Sequence, residues 1–290
     1  MFLTTIEEFI FRLTYCKGLG IVGKWKMVQF AMKFQQMAFS PQEVVEIVGV
    51  NNYSQVIKES WQKLTPDFIQ EQAAKQKFIT FFSEDYPVLL KEIPHPPLIL
   101  FYEGHIQRLQ LPLLAVVGAR DASSYGRRLV EQFVPGLVRE NYGIISGLAK
   151  GIDSYSHHGT IQAEGYTIGV VGTGVDQCYP KEAFPIYSEM KENHLIISEY
   201  PKGTGAKKHH FPMRNRIIAG LCQGICVIEA KERSGSLITA QLALENGREV
   251  FAFPGDLLNG RSTGCHRLIQ DGAKCVVTLA DILEELPNFE

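Results

Sequence analysis

Seven short apolar runs alternate with helix-length segments from position 113 onward, and this alternation constrains the fold more than any other feature of the chain. Short apolar runs bounded by turn residues are typical of buried strands, and strands separated by helices are typical of a parallel sheet with helices on both faces. The runs span residues 113–117, 143–145, 166–171, 194–197, 224–228, 249–253 and 274–277. The pattern therefore predicts an α/β fold with a mostly parallel sheet.

The first part of the chain has a different, helical pattern. Phe9, Ile10 and Leu13 share one helical face, and few strand-like runs occur before the Pro-rich segment 84–104. We expect a small all-α domain over residues 1–80, followed by the α/β domain over residues 81–290. Residues 98–102 are expected to add a strand at the edge of the sheet.

Composition excludes several classes of protein. No apolar stretch approaches the ~20 residues that span a bilayer, and Glu7 and Glu8 stand where a secretory signal needs a basic end. We therefore expect a cytoplasmic protein. The six cysteines contain no CxxC pair, so neither a zinc site nor a disulfide framework is indicated. Because the formal net charge is −2, a polyanionic partner must be met by a local basic cluster.

Such a cluster is predicted at the carboxyl ends of the parallel strands, where ligands of open α/β sheets bind. Residues 201–216 contain no acid and five basic residues, namely Lys202, Lys207, Lys208, Arg214 and Arg216. Arg120, Lys150 and Lys181 follow other predicted strands, so their side chains are expected at the same edge. A solvated loop is the alternative for a charge run, but a concave basic mouth lined by amides is what phosphates require.

Three turns rich in small residues complete the predicted phosphate site. They are Gly118-Ala119-Arg120, the segment "SGLAKGID" at 146–153, and Ser234-Gly235-Ser236. We expect Ser146, Gly147 and neighbouring amides to face a phosphate, with the glycine permitting close backbone approach. A tight turn that needs glycine for backbone reasons alone is the alternative. The serines at 234 and 236 are expected either to cap a helix or to donate to a phosphate.

Motifs for familiar cofactors and catalytic groups are missing. No G-x-x-x-x-G-K-[ST] loop occurs, and Gly172-Thr173-Gly174 lacks the third glycine of the dinucleotide fingerprint. The adjacent histidine pairs at 157–158 and 209–210 cannot readily face one metal ion together. Ser234 does not lie in a nucleophile elbow of the G-x-S-x-G type. We expect no cofactor, no metal site and no catalytic residue.

Six motifs in one order closely resemble the DNA-processing protein A family, DprA/Smf, over residues 84–277. They are "VVGARDASSYG", "SGLAKGID", "VVGTGVDQCYPK", "HFPMRNRIIAGL", "EAKERSGSLITAQLALENGREVFAFPG" and "GCHRLIQDGA". The resemblance implies a Rossmann-like domain that forms homodimers and binds single-stranded DNA. It further implies that the protein protects incoming DNA and loads the recombinase RecA onto it during natural transformation and recombination. It implies neither catalysis nor a metal.

The resemblance also assigns DNA-binding residues. The family's DNA-binding Arg falls on Arg120 and its two Lys fall on Lys181 and Lys208, the same side chains that the charge pattern selects. Ala119 stands where the family has Ser, which removes a hydroxyl but leaves the backbone N–H.

Other parts of the chain follow the family to different degrees. The resemblance implies a subunit contact in the segment 264–277, with core packing as the alternative. The residues concerned are His266, Leu268, Ile269 and Cys275. The family's C-terminal winged-helix domain is expected to be absent. The turn "KGLGIVGK" at 17–24 is similar to a helix-hairpin-helix turn in a SAM-like domain, although a plain interhelical turn fits equally well.

Two other functions stay open. Rossmann-like nucleotide phosphoribohydrolases also place a Gly-rich turn around a nucleotide phosphate, but they pair it with a Gly-Gly-x-Gly-Thr turn and a Glu that assists cleavage of the base. Here the corresponding turn begins at Arg233, and Glu229 is the acid at the end of its strand, where it could instead anchor a neighbouring loop arginine. The remaining alternative is a protein-interaction scaffold whose basic pocket merely holds an anion.

Overall fold

The computed structural model of the chain describes residues 3–286. Its N-terminal region is helical, as the sequence predicts, and several of the helices begin at capping residues. Thr4 and Ser40 each accept a hydrogen bond from the backbone N–H of the glutamate three residues later, whose carboxylate accepts one in return. The helices are α1 (Thr5–Tyr15), α2 (Ile21–Phe34), α3 (Pro41–Val48), α4 (Ser54–Lys63) and α5 (Pro66–Ala74).

Within residues 3–286, nine strands form one sheet in the order β1-β2-β6-β5-β4-β3-β7-β8-β9. They are β1 (Lys77–Thr80), β2 (Ile99–Gly104), β3 (Leu113–Gly118), β4 (Gly143–Ser146), β5 (Thr167–Val170), β6 (Leu195–Ser198), β7 (Gly224–Ile228), β8 (Glu249–Ala252) and β9 (Lys274–Cys275). Strands β3 to β9 run parallel, whereas β1 and β2 are antiparallel to their neighbours. Each predicted apolar run contains a strand, and the mostly parallel α/β sheet is confirmed.

One edge of the sheet differs from the prediction. Residues 98–102 do supply a strand, but β2 lies between β1 and β6 and is therefore not the edge strand. Strand β1 was not expected because its four residues follow a helical stretch directly, and only Ile79 and Thr80 are buried.

Helices cover both faces of the sheet. They are α6 (Val88–Lys91), α7 (Ser124–Arg139), α8 (Ile152–Gln162), α9 (Phe184–Asn193), α10 (His210–Leu221), α11 (Gly235–Glu245), α12 (Thr263–Gln270) and α13 (Ala280–Leu283). In strand β3, Ala115 and Val117 join the apolar cluster formed with α6, α10 and α11. Leu114 and Val116 join the cluster formed with α7 on the opposite face. Across residues 3–286, every helix is too short or too polar to cross a lipid bilayer.

The helical N-terminal region packs against the sheet through aromatic side chains. Phe11 of α1 makes edge-to-face contacts with Phe78 and Phe101, with ring centroids 4.7 and 5.8 Å apart. The apolar cluster of the helices includes Ile99, Met190 and Ile196 from β2, α9 and β6. The core is thus continuous across position 80, and a domain boundary at that position stays a prediction.

Candidate phosphate-binding pocket at the carboxyl edge of the sheet

A pocket of about 120 Å³ lies at the carboxyl edge of the sheet, where β3, β4 and β5 end. We call it the carboxyl-edge pocket. It is lined by Arg120, Gly147, Ala149, Lys150, Tyr179, Pro180, Phe211 and Arg214. Most of these residues belong to the loops that follow the three strands, and the last two belong to α10. Of the residues predicted to bind phosphate, the pocket brings together Arg120, Gly147 and Arg214.

Arg214 is the buried cation of the carboxyl-edge pocket. Only 6% of its surface is exposed, and its Nη1 donates a hydrogen bond to the carbonyl oxygen of Val170 at 3.0 Å. Burial lowers the pKa of Arg214 to about 10, an effect that Asp153 opposes and Arg120 reinforces. The guanidinium therefore stays charged at neutral pH in a poorly solvated position, where a bound anion would stabilise it.

Asp153 organises the loop between β4 and α8. Its Oδ2 accepts hydrogen bonds from the backbone N–H of Gly147 at 3.1 Å and of Ala149 at 3.4 Å. Burial raises the pKa of Asp153, while Arg214 and the two amides hold it down. The sequence analysis did not single out this residue. An acid in the first turn of a helix that follows a Gly-rich loop is the signal that could have found it.

Ser146 and Gly147, both predicted to face a phosphate, have partners within the protein. The Ser146 hydroxyl donates to the carbonyl oxygen of Val116 at 2.6 Å, and the residue is fully buried. The N–H of Gly147 is bonded to Asp153, and a phosphate role for Ser146 and Gly147 stays a prediction. Gly147 also leaves room for a neighbouring side chain, since a Cβ at this position would overlap the guanidinium of Arg214.

Backbone contacts also hold the loop that carries Arg120. The N–H of Ala119 donates to the carbonyl oxygen of Ile228 at 3.3 Å, and the carbonyl oxygen of Ala119 accepts from the N–H of Ile152 at 3.1 Å. A Cβ on Gly118 would overlap that same Ile228 oxygen. Gly118 and Ala119 thus position Arg120, and a direct phosphate contact by either residue stays a prediction.

Glu229 has a structural partner at the end of β7. Its two carboxylate oxygens accept hydrogen bonds from the hydroxyl and the backbone N–H of Ser123, the latter at 2.7 Å. Ser123 in turn caps α7 by accepting from the N–H groups of Tyr125 and Gly126. Glu229 thus fixes the loop that follows Arg120. It does so through a serine and not through a neighbouring loop arginine, which the sequence analysis offers as its partner.

Three cations predicted from the family motifs belong to loops at the carboxyl edge of the sheet. Arg120 is part of the lining of the carboxyl-edge pocket. Lys181 follows the cis peptide Tyr179–Pro180, and Lys208 precedes α10, which supplies Phe211. All three are exposed, and within residues 3–286 none of them forms an ion pair with an acid. Their positive charges are therefore available to an anion.

Two aromatic rings form an apolar wall in the carboxyl-edge pocket. The centroids of Tyr179 and Phe211 are 5.5 Å apart, with an angle of 40° between the ring planes. Tyr179 is half exposed. An aromatic wall beside several cations suits a ligand that combines a flat ring with a phosphate.

Other predicted residues lie outside the pocket. Arg216 is buried, and its guanidinium pairs with Glu199 and donates to the carbonyl oxygen of His95 at 2.8 Å. Lys202 pairs with Glu103 at 2.8 Å. These two cations hold the β6–α10 region against the rest of the fold, so the expectation that Arg216 binds phosphate is not supported by its position.

The turn 234–236 lies at the carboxyl edge, at the start of α11, without lining the pocket. The hydroxyls of Ser234 and Ser236 are 2.8 Å apart and bonded to each other. Ser234 occupies the N-cap position but its side chain makes no capping hydrogen bond. A phosphate role for Ser234, Gly235 and Ser236 stays a prediction.

The segment expected to join two subunits contains α12 and β9. Strand β9 lies at one end of the sheet. His266 is bonded through Nε2 to the backbone of Gly255. Leu268 and Ile269 pack partly against the core of the α/β unit, and Cys275 is half-buried. Val277, just beyond β9, is 69% exposed.

Comparison with known protein families gives a match over most of the chain. The family model described as DNA recombination-mediator protein A matches residues 77–287. DNA processing protein DprA of Streptococcus pneumoniae is 44% identical over 243 residues, which are 84% of this chain and 86% of the relative. The protein of the same name from Bacillus subtilis is 45% identical over 211 residues, or 72% of this chain and 71% of the relative.

Solved structures agree with the sequence comparisons. The X-ray structure of DprA from Streptococcus pneumoniae superposes with a TM-score of 0.90 and 40% identity, covering 100% of both chains. DNA processing protein A from Helicobacter pylori, whose structure was solved for its single-stranded DNA binding mode, gives a TM-score of 0.66 and 25% identity. That match covers 73% of this chain and 98% of the other.

Proposed function

This chain belongs to the DNA recombination-mediator protein A family, and on that premise we propose that its carboxyl-edge pocket binds the phosphates of single-stranded DNA. One observation carries the proposal. Arg120 and Arg214 line a single pocket whose aromatic wall is formed by Tyr179 and Phe211. Sequence-independent sites for single strands combine two elements, cations that bind the phosphates and aromatic rings on which the bases stack.

The location of the charges favours phosphate binding over a general attraction to polyanions. The chain as a whole is slightly acidic, with a formal net charge of −2. Arg120, Lys181 and Lys208 nevertheless lie at one edge of the sheet without acidic partners among the described residues. Binding is therefore led by the DNA backbone, with little dependence on base sequence.

The recessed shape of the pocket favours a single strand over a duplex. A flexible chain can turn one nucleotide into a pocket between loops, whereas a duplex keeps its bases stacked and its backbone stiff. The Helicobacter pylori relative, whose structure concerns its binding of single-stranded DNA, supports the same preference.

We further propose that the bound strand is protected and handed to RecA in the cytoplasm by a homodimer. The description of the matched family as a recombination mediator supports the hand-over. The position of β9 at the end of the sheet and the exposed Val277 beside it support subunit pairing through the segment 264–277, where His266, Leu268, Ile269 and Cys275 lie.

A mobility-shift titration with matched single- and double-stranded oligonucleotides tests the central proposal. We expect the single strand to bind more tightly at every salt concentration, and both affinities to fall as salt rises. Equal binding of the two forms, or no binding of either, would contradict the proposal.

A second assay separates DNA binding from the phosphoribohydrolase alternative. Incubation with a nucleoside monophosphate should release no free base, because the acid that an enzyme of that class would use, Glu229, is buried and bonded to Ser123. Release of base by the purified protein, lost on changing Glu229 to Gln, would establish the enzymatic function instead.

A further inference from the structure

Lys150 forms an ion pair that connects two walls of the carboxyl-edge pocket. Its Nζ lies 2.8 Å from Oε1 of Glu182. Lys150 belongs to the β4–α8 loop, and Glu182 follows Pro180 in the segment between β5 and α9, so the pair joins segments 32 residues apart in sequence. Lys150 and Pro180 both line the pocket, which places the ion pair at its rim.

This ion pair distinguishes Lys150 from the other exposed cations at the pocket. Within residues 3–286, Arg120, Lys181 and Lys208 have no acidic partner, whereas Lys150 has one. Both members of the pair are exposed, 54% for Lys150 and 66% for Glu182. The lysine lowers the pKa of the Glu182 carboxyl through their hydrogen bond. Glu182 is therefore an anion that already pairs with a cation of the proposed DNA site.

We propose that Lys150 is a further phosphate-binding residue and that Glu182 is a competing anion which a DNA phosphate displaces from it. The inference rests on the proposed function of the pocket. An exposed ion pair contributes little to stability because both charges are well solvated, so a phosphate can replace the carboxylate without unfolding any part of the site. Once displaced, Glu182 stays beside the phosphate and repels it, which weakens binding and makes release easier.

The exchange has a distinct salt signature. A cation that neutralises a phosphate of single-stranded DNA releases a counterion condensed on the DNA. Each such contact contributes about 0.7 to the steepness of log K against log salt. In the unchanged protein Lys150 already has Glu182 as its counter-charge, so its contact with phosphate adds less than this amount. Removing the acid should restore the full contribution.

The test compares Glu182→Gln with the unchanged protein in titrations with oligo-dT at several salt concentrations. We expect about two- to fivefold tighter binding at low salt and a slope steeper by up to about 0.7. Lys150→Ala should weaken binding more in the Glu182→Gln background than alone. Glu71→Gln is the matched control, because Glu71 is similarly exposed and pairs with Lys75 at 2.6 Å in the helical region. It should leave both quantities unchanged.

The outcomes separate this inference from the proposed function. Binding by the unchanged protein, together with an affinity and slope that Glu182→Gln does not alter, would overturn the inference alone. Weaker binding by Glu182→Gln would also overturn it, because it would mean that the acid positions Lys150 for DNA. If the unchanged protein does not bind oligo-dT at all, the proposed function fails and the inference fails with it.

Discussion

The guanidinium of Arg214 occupies the space in which a side chain of residue 147 would lie. An ideal Cβ built on Gly147 overlaps Nη1 of Arg214, and both residues line the carboxyl-edge pocket. The glycine of the SGLAKGID loop therefore makes room for a packed arginine. Asp153 completes the arrangement, since it bonds the Gly147 amide and interacts electrostatically with Arg214.

Changing Gly147 to Ala should lower both stability and DNA affinity. The added methyl group must push Arg214 away from the Val170 carbonyl oxygen, and overpacking of this kind costs about 1–3 kcal/mol. Urea unfolding and oligo-dT titration measure the two effects. Gly205→Ala is the control, because Gly205 lies in an exposed loop and nothing lies within 4 Å of a Cβ at that position. An unchanged unfolding midpoint with full DNA binding would contradict the packing role of Gly147.

Arg120→Ala, Lys181→Ala and Lys208→Ala should each weaken binding of single-stranded DNA. If each side chain neutralises a phosphate, its removal lowers the salt slope of log K by about 0.7. The measurement is a titration at several salt concentrations, with circular dichroism to verify the fold.

Lys202→Ala is the matched control for this series. Lys202 belongs to the same basic segment as Lys208, but it is paired with Glu103 at 2.8 Å. Its removal should leave the salt slope unchanged. A slope that stays constant in all three test variants would place the DNA elsewhere on the protein.

Arg214 and Arg216 show why sequence alone could not define the whole site. They are two residues apart on α10, and successive helical residues point about 100° apart, so the two guanidinium groups face different surroundings. One lines the pocket and the other pairs with Glu199. A count of charges in the segment 201–216 treats them alike. Only the direction in which α10 packs on the sheet distinguishes them.

The parts of the fold that sequence predicted well are those set by local pattern. The strands from β3 to β7 are buried almost throughout, which produces continuous apolar runs. Arg120, Lys181 and Lys208 belong to the loops that follow β3, β5 and β6, so their position at the carboxyl edge follows from topology. Long-range pairings such as Glu229 with Ser123, 106 residues apart, leave no comparable local signal.

Arg216→Ala should destabilise the fold without changing the salt slope of DNA binding. The substitution leaves Glu199, whose side chain is 11% exposed, without its partner, and an unpaired buried charge costs about 3–5 kcal/mol. Thermal unfolding should show a lower midpoint, while the slope measured on the folded variant should equal that of the unchanged protein. A reduced slope would return Arg216 to the DNA site.

Stability should fall as the pH drops below neutral because of His157. Burial lowers the pKa of His157 to about 3 from its ordinary value of 6.5, so the unfolded chain takes up a proton that the folded chain refuses. The contribution of this group to the free energy of unfolding is complete above about pH 6.5 and is lost progressively down to about pH 3. The loss at about pH 5 is about 2 kcal/mol. Burial lowers the pKa of His194 as well, which acts in the same direction.

Urea unfolding at about pH 7.5 and about pH 5 measures this dependence. His157→Gln removes the titrating ring while keeping a polar group for Thr167, whose hydroxyl lies 2.7 Å from Nδ1 of His157. The difference in the free energy of unfolding between the two pH values should be about 2 kcal/mol smaller in the variant. An undiminished difference would show that other groups cause it.

Changing Val277 to Glu should separate the two subunits of the proposed dimer. The side chain is 69% exposed beside the end strand β9, where a second copy would bury it and where a carboxylate would then lack solvation. Light scattering at micromolar concentration should give near twice 32.5 kDa for the unchanged protein and near 32.5 kDa for the variant. Val22→Glu, at a 49% exposed position on α2, should stay dimeric. A monomeric unchanged protein would remove the dimer from the proposed function and leave the DNA pocket unaffected.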